Sequence, residues 1–294
     1  MKGVRSYLFV PGDSARKMDK AAQSAAHALI LDLEDSVAAA NKTQALSTTC
    51  EFLRTADVAG PRELWVRLNA SDPAQALAEL ATLPLDRVTG VFHPKLENRA
   101  QLLRMGHWLD ALETRDGLAR GATGIVGIIT ETATAMVGTQ ASSLAEGHPR
   151  LRGYSWGTED LSATLGRVPL PGATPAQERL LHTVQMHCLL TAGAAGVDAI
   201  DTISANFRDM DALADECALA RELGYVAKMA IHPAQLDPIN AGLATDAAAL
   251  EWAQRVQALR EADPGAASYS LDGRMVDEPH IKTAARILAR RDDP

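Results

Sequence analysis

Eight short apolar runs recur along the chain, each bounded by turn or polar residues, and stretches with helical spacing separate them. The runs are Ser6–Val10, Ala28–Leu33, Leu64–Leu68, Gly90–Phe92, Gly124–Thr130, Gly153–Trp156, Val197–Asp201 and Val226–Ile231. Between them, Ala74–Thr82, Asn98–Leu112 and Asp209–Leu223 are rich in Ala, Leu and Glu at helical spacing. Strand-length runs alternating with helices predict βα units around a parallel sheet. Eight such units between Ser6 and Ile231 suit a closed (β/α)8 barrel, which takes roughly 250 residues. A doubly wound sheet fits less well. Its glycine-rich phosphate turn is absent: the first run leads into Pro11-Gly12-Asp13-Ser14, and neither G-x-G-x-x-G nor G-x-x-x-x-G-K-[ST] occurs anywhere. The expectation is an α/β TIM barrel over residues 1–233 with a C-terminal helical extension over 234–294. In the extension, Ala234–Glu261 read as helical, Ala262–Ser270 as a linker and Pro279–Arg290 as a last helix, together forming a lid or an arm to a neighbouring subunit.

Composition narrows the function classes. A formal charge of −8 argues against non-specific nucleic-acid binding, which needs Lys and Arg to neutralise phosphates. An anionic small substrate remains compatible, because a site needs only one or two local cations. Cys50, Cys188 and Cys217 are odd in number and far apart, with no Cys-x-x-Cys spacing, which suits a reducing, cytoplasmic setting. Tyr7–Val10 is too short for a signal-peptide core, and no stretch approaches the ~20 apolar residues of a membrane span.

Barrel enzymes carry their chemistry where strands end and loops begin, so the residues at those ends are the candidates. They are Asp32-Leu33-Glu34-Asp35, Arg67 with Asn69, His93-Pro94-Lys95, Thr130-Glu131-Thr132, Gly157-Thr158-Glu159-Asp160, Asp201 and His232. Glu131 and Asp160, from neighbouring strand ends, are the type of carboxylate pair that holds Mg²⁺ with positions left open for substrate. The alternative is a pair of helix caps or loop acids. Arg67 sits in an apolar strand, where an unpaired guanidinium is costly; it either grips a substrate carboxylate bidentately or pairs with Glu34 or Asp35. Strand alternation puts Asp32 and Glu34 on one face and Asp35 on the other, with roles among water binding, capping and pairing with Arg67 left open. Lys95 could form a Schiff base only if desolvated. His182 and His187 are five apart on a helix, about 140° from each other, and cannot share a metal. No G-x-S-x-G nucleophile elbow occurs.

The ordered set RSYLFVPGDSARKMDKA, LILDLEDSV, VRLN, HPKLEN, TETATAM, GTEDLSATLG, GVDAIDT and ARELGYVAKMAIHPAQ spans Arg5 to Gln235, and LDGRMVDEPHIKTAARIL covers 271–288. In this order it resembles the citrate lyase beta-subunit-like branch of the aldolase superfamily, which includes malyl-CoA lyases. The resemblance implies a Mg²⁺-dependent barrel, commonly a homotrimer, handling a CoA or acyl-carrier thioester and a 2-keto acid. It puts Glu131 and Asp160 on the metal carboxylates and Arg67 on the arginine that holds the keto acid. Glu34 and Asp35 match the acidic pair behind the metal. Arg16 and Lys17 fall in the stretch that can meet the carrier's phosphates, and Gly157 joins the substrate contacts. Asp277 matches a tail aspartate that acts as acid or base, in some relatives within a neighbour's site. The implied reaction is retro-Claisen or retro-aldol cleavage of a 3-hydroxyacyl thioester into an acyl thioester and oxaloacetate, pyruvate or glyoxylate, with synthesis as the reverse. Two alternatives stand beside it: a metal aldolase on a free hydroxy-keto acid, and a subunit active only within a larger complex. Two features depart from the pattern. His93 precedes Pro-Lys where relatives have an aliphatic residue, which could alter the pocket, and the Ala262–Ser270 link is short.

Overall fold

The computed structural model describes residues 3–57, 63–137, 143–157, 159–166 and 174–290. Eight strands close into a barrel: β1 Ser6–Pro11, β2 Ala28–Asp32, β3 Glu63–Arg67, β4 Gly90–His93, β5 Gly124–Ile128, β6 Leu151–Ser155, β7 Asp198–Asp201 and β8 Ala227–Ala230. Every pairing is parallel, and β1 closes on β8 with Tyr7 opposite Met229. All eight apolar runs become these strands. Helices α1 Ala15–Ala22, α2 Lys42–Thr55, α3 Pro73–Thr82, α4 Arg99–Arg115, α5 Ala133–Met136, α6 Glu159–Thr164, α7 Pro175–Ala195, α8 Met210–Leu223 and α9 Leu236–Gly242 belong to the same unit. With lumen on one side and helices on the other, strands such as β2 are buried at every residue.

Few aromatic residues are available, and three of them fill the barrel. Tyr7, Trp65 and Phe92 meet edge to face at centroid separations of 6.3, 5.8 and 5.6 Å, the geometry their ring quadrupoles favour. Room for the Trp65 indole comes from glycine. A Cβ on Gly90 would overlap the Gly124 carbonyl and lie 2.5 Å from the Trp65 ring. At the opposite end of the strands from the candidate residues, Arg150 is buried and donates to Glu113 and to the Thr123 carbonyl at 2.7 and 3.1 Å, and it also pairs with Asp110. Glu113 accepts from the amides of Gly121 and Thr123, so one carboxylate ties α4 to the start of β5.

The contact pattern divides the chain at Val4/Arg5 and Gly242/Leu243. In the second unit, α10 Ala247–Ala262 packs on α11 Glu278–Ala289, with a hairpin of β9 Ser268–Leu271 and β10 Arg274–Asp277 between them in sequence. Ala253, Val256, Val276 and Ala284 form its small core. The expected linker over Ala262–Ser270 is thus corrected: its end is strand β9. The hairpin turns on Asp272 and Gly273, both at positive φ (53° and 75°), as an Asp-Gly hairpin turn requires. Cys50, Cys188 and Cys217 are buried free thiols. Among the described residues no helix is long and apolar enough to cross a membrane.

Gly90→Ala is expected to destabilise the barrel by at least about 2 kcal/mol, because the obstructing atoms are backbone and a caged indole. A denaturant titration against wild type measures it; an unchanged midpoint would contradict the packing described.

Candidate active site

The β2–β3 register sets Asp32 directly beside Arg67 at the carboxyl end of the barrel. Asp32 is fully buried, and its oxygens accept from the amides of Glu34 (2.9 Å) and Ser36 (3.0 Å). That capping turn ends the strand. Alternation therefore stops at Asp32, and Glu34 and Asp35 both turn towards Arg67, correcting the expectation that Asp35 faces away. From the start of α2, Lys42 donates to the carbonyls of Leu33 (2.8 Å) and Glu34 (2.6 Å) and to Asn69 Oδ1 (2.8 Å). Asn69 in turn is held by buried Glu79. The acidic turn is clamped from behind.

Arg67 donates through Nε and Nη2 to the two oxygens of Asp32, each at 2.7 Å. Its Nη1 lies 3.1 Å from Glu34 Oε2 and 3.8 Å from Asp35 Oδ2, and its plane stacks 4.7 Å from the Phe9 ring. The expected pairing of Arg67 with Glu34 and Asp35 is present, while Asp32 takes the bidentate fork. Lys95 has a left-handed backbone (φ 50°) that aims its amide at Glu131 Oε2 (2.7 Å). Its ammonium reaches Glu34 Oε1 at 2.6 Å, Asp160 Oδ2 at 3.1 Å and Asp35 Oδ2 at 3.5 Å. Five carboxylates (Asp32, Glu34, Asp35, Glu131, Asp160) thus share two cations.

Electrostatics follow from this imbalance. Burial pushes the Asp32 carboxyl up, but the Arg67 hydrogen bonds and charge outweigh it and hold the group below its usual value. Burial raises Glu34 despite Arg67 and Lys95, and raises Glu131 to about 7. Burial would lower Lys95, but Glu34, Glu131 and Asp35 drive it well above the usual lysine range. A Schiff base needs a neutral amine, so Lys95 is a counter-ion here and not a nucleophile.

Asp32, Asp35, Arg67, Glu131 and Asp160 face a cavity of about 320 Å³, with Glu34 and Lys95 behind them. Its polar wall holds Asp32, Asp35, Ser36, Arg67, Glu131, Gly157, Glu159, Asp160 and Thr202; Phe9, Ile128, Trp156, Ile203, Met229 and Ile231 form an apolar wall. Gly157 is bound to Thr130 Oγ1 through both amide and carbonyl, and a Cβ there would sit 3.2 Å from Glu131 Oε1. The glycine keeps that oxygen clear. Among the described residues no three His, Cys, Asp or Glu side chains converge into a closed metal site. An oxygen-only pair, Glu131 and Asp160, with surplus negative charge and open positions fits Mg²⁺ rather than a softer ion. Thr158, between them in sequence, lies outside the described residues.

Other candidates stand elsewhere. Arg16 and Lys17 are exposed in the first turn of α1 and do not line the cavity. Asp277 caps α11 in the C-terminal unit, with Oδ1 2.6 Å from His280 Nδ1, which also receives the Asp277 amide at 3.3 Å. His232 stacks on Phe207 at 4.8 Å and caps Ala234. His182 and His187 lie on α7, and burial lowers His187. His93 does not line the cavity: Phe92 faces the lumen, so alternation turns His93 to the other side, where Nδ1 is 2.8 Å from the Pro94 carbonyl. Asp201, a strand-end candidate, belongs to a network whose other members, Lys228 and Glu216, the strand-end rule does not find. Asp201 accepts from Trp156 Nε1 (2.8 Å) and from buried Lys228 (2.7 Å), which also pairs with Glu216 (3.1 Å), fixing the indole against the cavity.

The family model for HpcH/HpaI aldolase/citrate lyase matches residues 5–233. The chain belongs to this family. It is 34% identical over 288 residues to a protein of Cereibacter sphaeroides named (3S)-malyl-CoA thioesterase, covering 97% of this chain and 94% of the relative. The structure resembles that of CitE from Mycobacterium tuberculosis in complex with magnesium, acetoacetate and coenzyme A, with a TM-score of 0.71, 29% identity and 98% of each chain covered. It also resembles a citrate lyase beta subunit of the same organism complexed with oxaloacetate and magnesium, with a TM-score of 0.66, 30% identity, and 82% of this chain and 97% of that one covered.

In this family member, burial lowers His93 to about 4, against 6.5 when unfolded. The native state therefore keeps His93 neutral, and its full stability is present above pH 6.5 and lost as pH falls towards 4. The loss is roughly 3 kcal/mol from this group. His93→Asn, which keeps a donor near Pro94, is expected to flatten the stability profile across that window in urea titrations between pH 4 and 7.

Proposed function

We propose that this chain is a Mg²⁺-dependent carbon–carbon lyase that cleaves, or in reverse forms, a 3-hydroxyacyl thioester of the CoA type. The carrying observation is the cavity onto which Glu131, Asp160 and Arg67 open together. Glu131 and Asp160 would hold the cation, which would supply Lewis-acid polarisation of a substrate oxygen. The ligands of the two Mycobacterium tuberculosis structures, magnesium with acetoacetate and coenzyme A or with oxaloacetate, support this assignment.

The chain's own groups divide the work. Arg67 keeps Nη hydrogens for one substrate oxygen, since Asp32 already takes its Nε/Nη2 edge. Glu34 is held by Lys95 and Arg67 and acts as a positioning group. Asp35, more exposed and on the cavity wall, takes the 3-hydroxyl proton. The O–H electrons form the new C=O, the C2–C3 bond breaks, and its electron pair passes to C2 and the thioester carbonyl as an enolate. C2 then takes up a proton to complete the acyl thioester, a role that by the resemblance falls to a tail aspartate such as Asp277. Arg16 and Lys17 offer charge for the carrier's phosphates.

A second reading, thioester hydrolysis, is favoured by the relative named a thioesterase. It breaks C–S instead of C–C and yields the 3-hydroxy acid and free thiol. Incubation with malyl-CoA, assayed in parallel for keto acid as a phenylhydrazone and for free thiol, separates the two. Keto acid without thiol is expected; thiol without keto acid would replace the lyase by a hydrolase. Glu131→Gln should weaken Mg²⁺ binding by more than the roughly 10–100-fold that loss of an outer-shell partner costs, with the melting profile retained. Calorimetric titration of Mg²⁺ checks this, and unaltered affinity would remove Glu131 from the metal site.

A further inference from the structure

Asp201 and Lys228 are partners in the β7–β8 register, as Asp32 and Arg67 are in that of β2 and β3, so the barrel carries a second buried acid–base pair. Met229 lines the cavity, and strand alternation therefore turns Lys228 the other way, towards the helix layer. There its ammonium donates to Asp201 Oδ2 at 2.7 Å and lies 3.1 Å from Glu216 Oε2 on α8. Asp201 Oδ1 accepts the indole N–H of Trp156, which lines the cavity, at 2.8 Å. Glu216 Oε1 accepts from Ser204 Oγ at 3.2 Å, and the Ser204 carbonyl accepts from buried Gln235 at 2.9 Å. Gln235 Oε1 in turn accepts the amides of Ile231 and His232 at 2.9 and 3.1 Å. One connected network thus runs from the end of β6 through the loops after β7 and β8, behind the cavity-lining Trp156, Ile203 and Ile231.

We infer that Lys228 and Glu216 are positioning residues of this site: acting through Asp201 and Ser204, they hold Trp156 and the loops after β7 and β8 as a preformed wall against which the thioester substrate is aligned. The inference rests on the lyase reading above and adds to it two residues that stand outside the described lining of the cavity. Stability alone does not account for them, because burying Asp201 and Lys228 carries a desolvation cost that a packed apolar pair would avoid. What the charges add is direction. A carboxylate with one oxygen on the ammonium and the other on the indole N–H fixes the orientation of the ring, which apolar packing would leave freer. A wall set before the substrate arrives spares the complex the cost of ordering it. Trp156, Ile203 and Ile231 bring no charge to the reacting atoms, so their alignment serves ground state and transition state alike. Its loss therefore shows in KM and not in kcat.

The test compares wild type with two variants. Glu216→Gln alters a side chain that is 43% exposed and keeps its volume, and the pair Asp201→Asn with Lys228→Met removes both buried charges together, leaving neither unmatched. In steady-state cleavage of malyl-CoA, KM is expected to rise about threefold in Glu216→Gln and about tenfold in the double variant, with kcat within about twofold. Mg²⁺ affinity by calorimetry stays at the wild-type value in both. Hydrogen exchange at the Trp156 indole N–H, its NMR signal assigned with Trp156→Phe, reads the network without turnover. It is expected to speed at least about tenfold in the double variant at a retained melting temperature. An unchanged KM, or unchanged indole exchange, overturns the inference and leaves the lyase reading standing. A wild type that does not cleave malyl-CoA counts against the lyase reading alone; faster indole exchange in the double variant then still supports the positioning role, and unchanged exchange removes it too.

Discussion

The Arg67–Asp32 pair is the interaction on which the rest of the site depends. Both groups are nearly removed from water, and neither could be buried alone without a penalty of several kcal/mol. Together they satisfy one another through two parallel hydrogen bonds, and Asp32 spends its remaining acceptor capacity on two backbone amides. One carboxylate thereby ends a strand, shapes the acidic turn and orients the guanidinium. The parallel register of β2 and β3 makes this possible by setting the two residues side by side.

Around that pair the site is built with too few positive charges. Lys95 eases the imbalance by reaching three carboxylates from a left-handed backbone, a conformation that costs a non-glycine residue about 1 kcal/mol or more. The strain has a use, since the same backbone turn delivers the Lys95 amide to Glu131. Glu131 stays difficult to ionise because burial outweighs that one hydrogen bond. Such a carboxylate gains most from a divalent cation, which is why excess acid and an open oxygen beside Gly157 belong to one argument.

Beneath the charges, the aromatic cluster of Tyr7, Trp65 and Phe92 closes the lumen. The Arg67–Asp32 pair above it is nearly removed from water, which keeps the local dielectric low. The pair is correspondingly stronger, and so is the penalty for any unmatched charge. Opposite it, Lys228, Asp201 and Glu216 lock Trp156 from behind. The cavity is thus rigid on two sides for different reasons, packing on one and ion pairing on the other.

Much of the barrel is legible in the chain itself. Eight apolar runs alternating with helical stretches leave little choice of fold, because buried parallel strands must be apolar on both faces. The strand-end rule also picks Arg67, Glu131 and Asp160 correctly as neighbours of one cavity. The Asp-Gly pair at 272–273 marks a hairpin by its need for positive φ, a signal present in the sequence and overridden by the helical look of the tail. Local pattern cannot tell which acid takes the Arg67 fork, since Asp32, Glu34 and Asp35 are equivalent until a cap ends β2 and breaks the alternation. Nor can it find Lys42 behind the acidic turn or Lys228 behind Trp156, each joined to its partner by contacts between distant segments. His93 reads as a pocket residue by position and is turned outward by the pleat. The sequence by itself determined the barrel and the inventory of charges at its mouth, because periodicity and residue type are local properties. Only the tertiary structure decided how those charges pair and which groups face the cavity, because pairing depends on register, burial and distances between segments far apart in the chain.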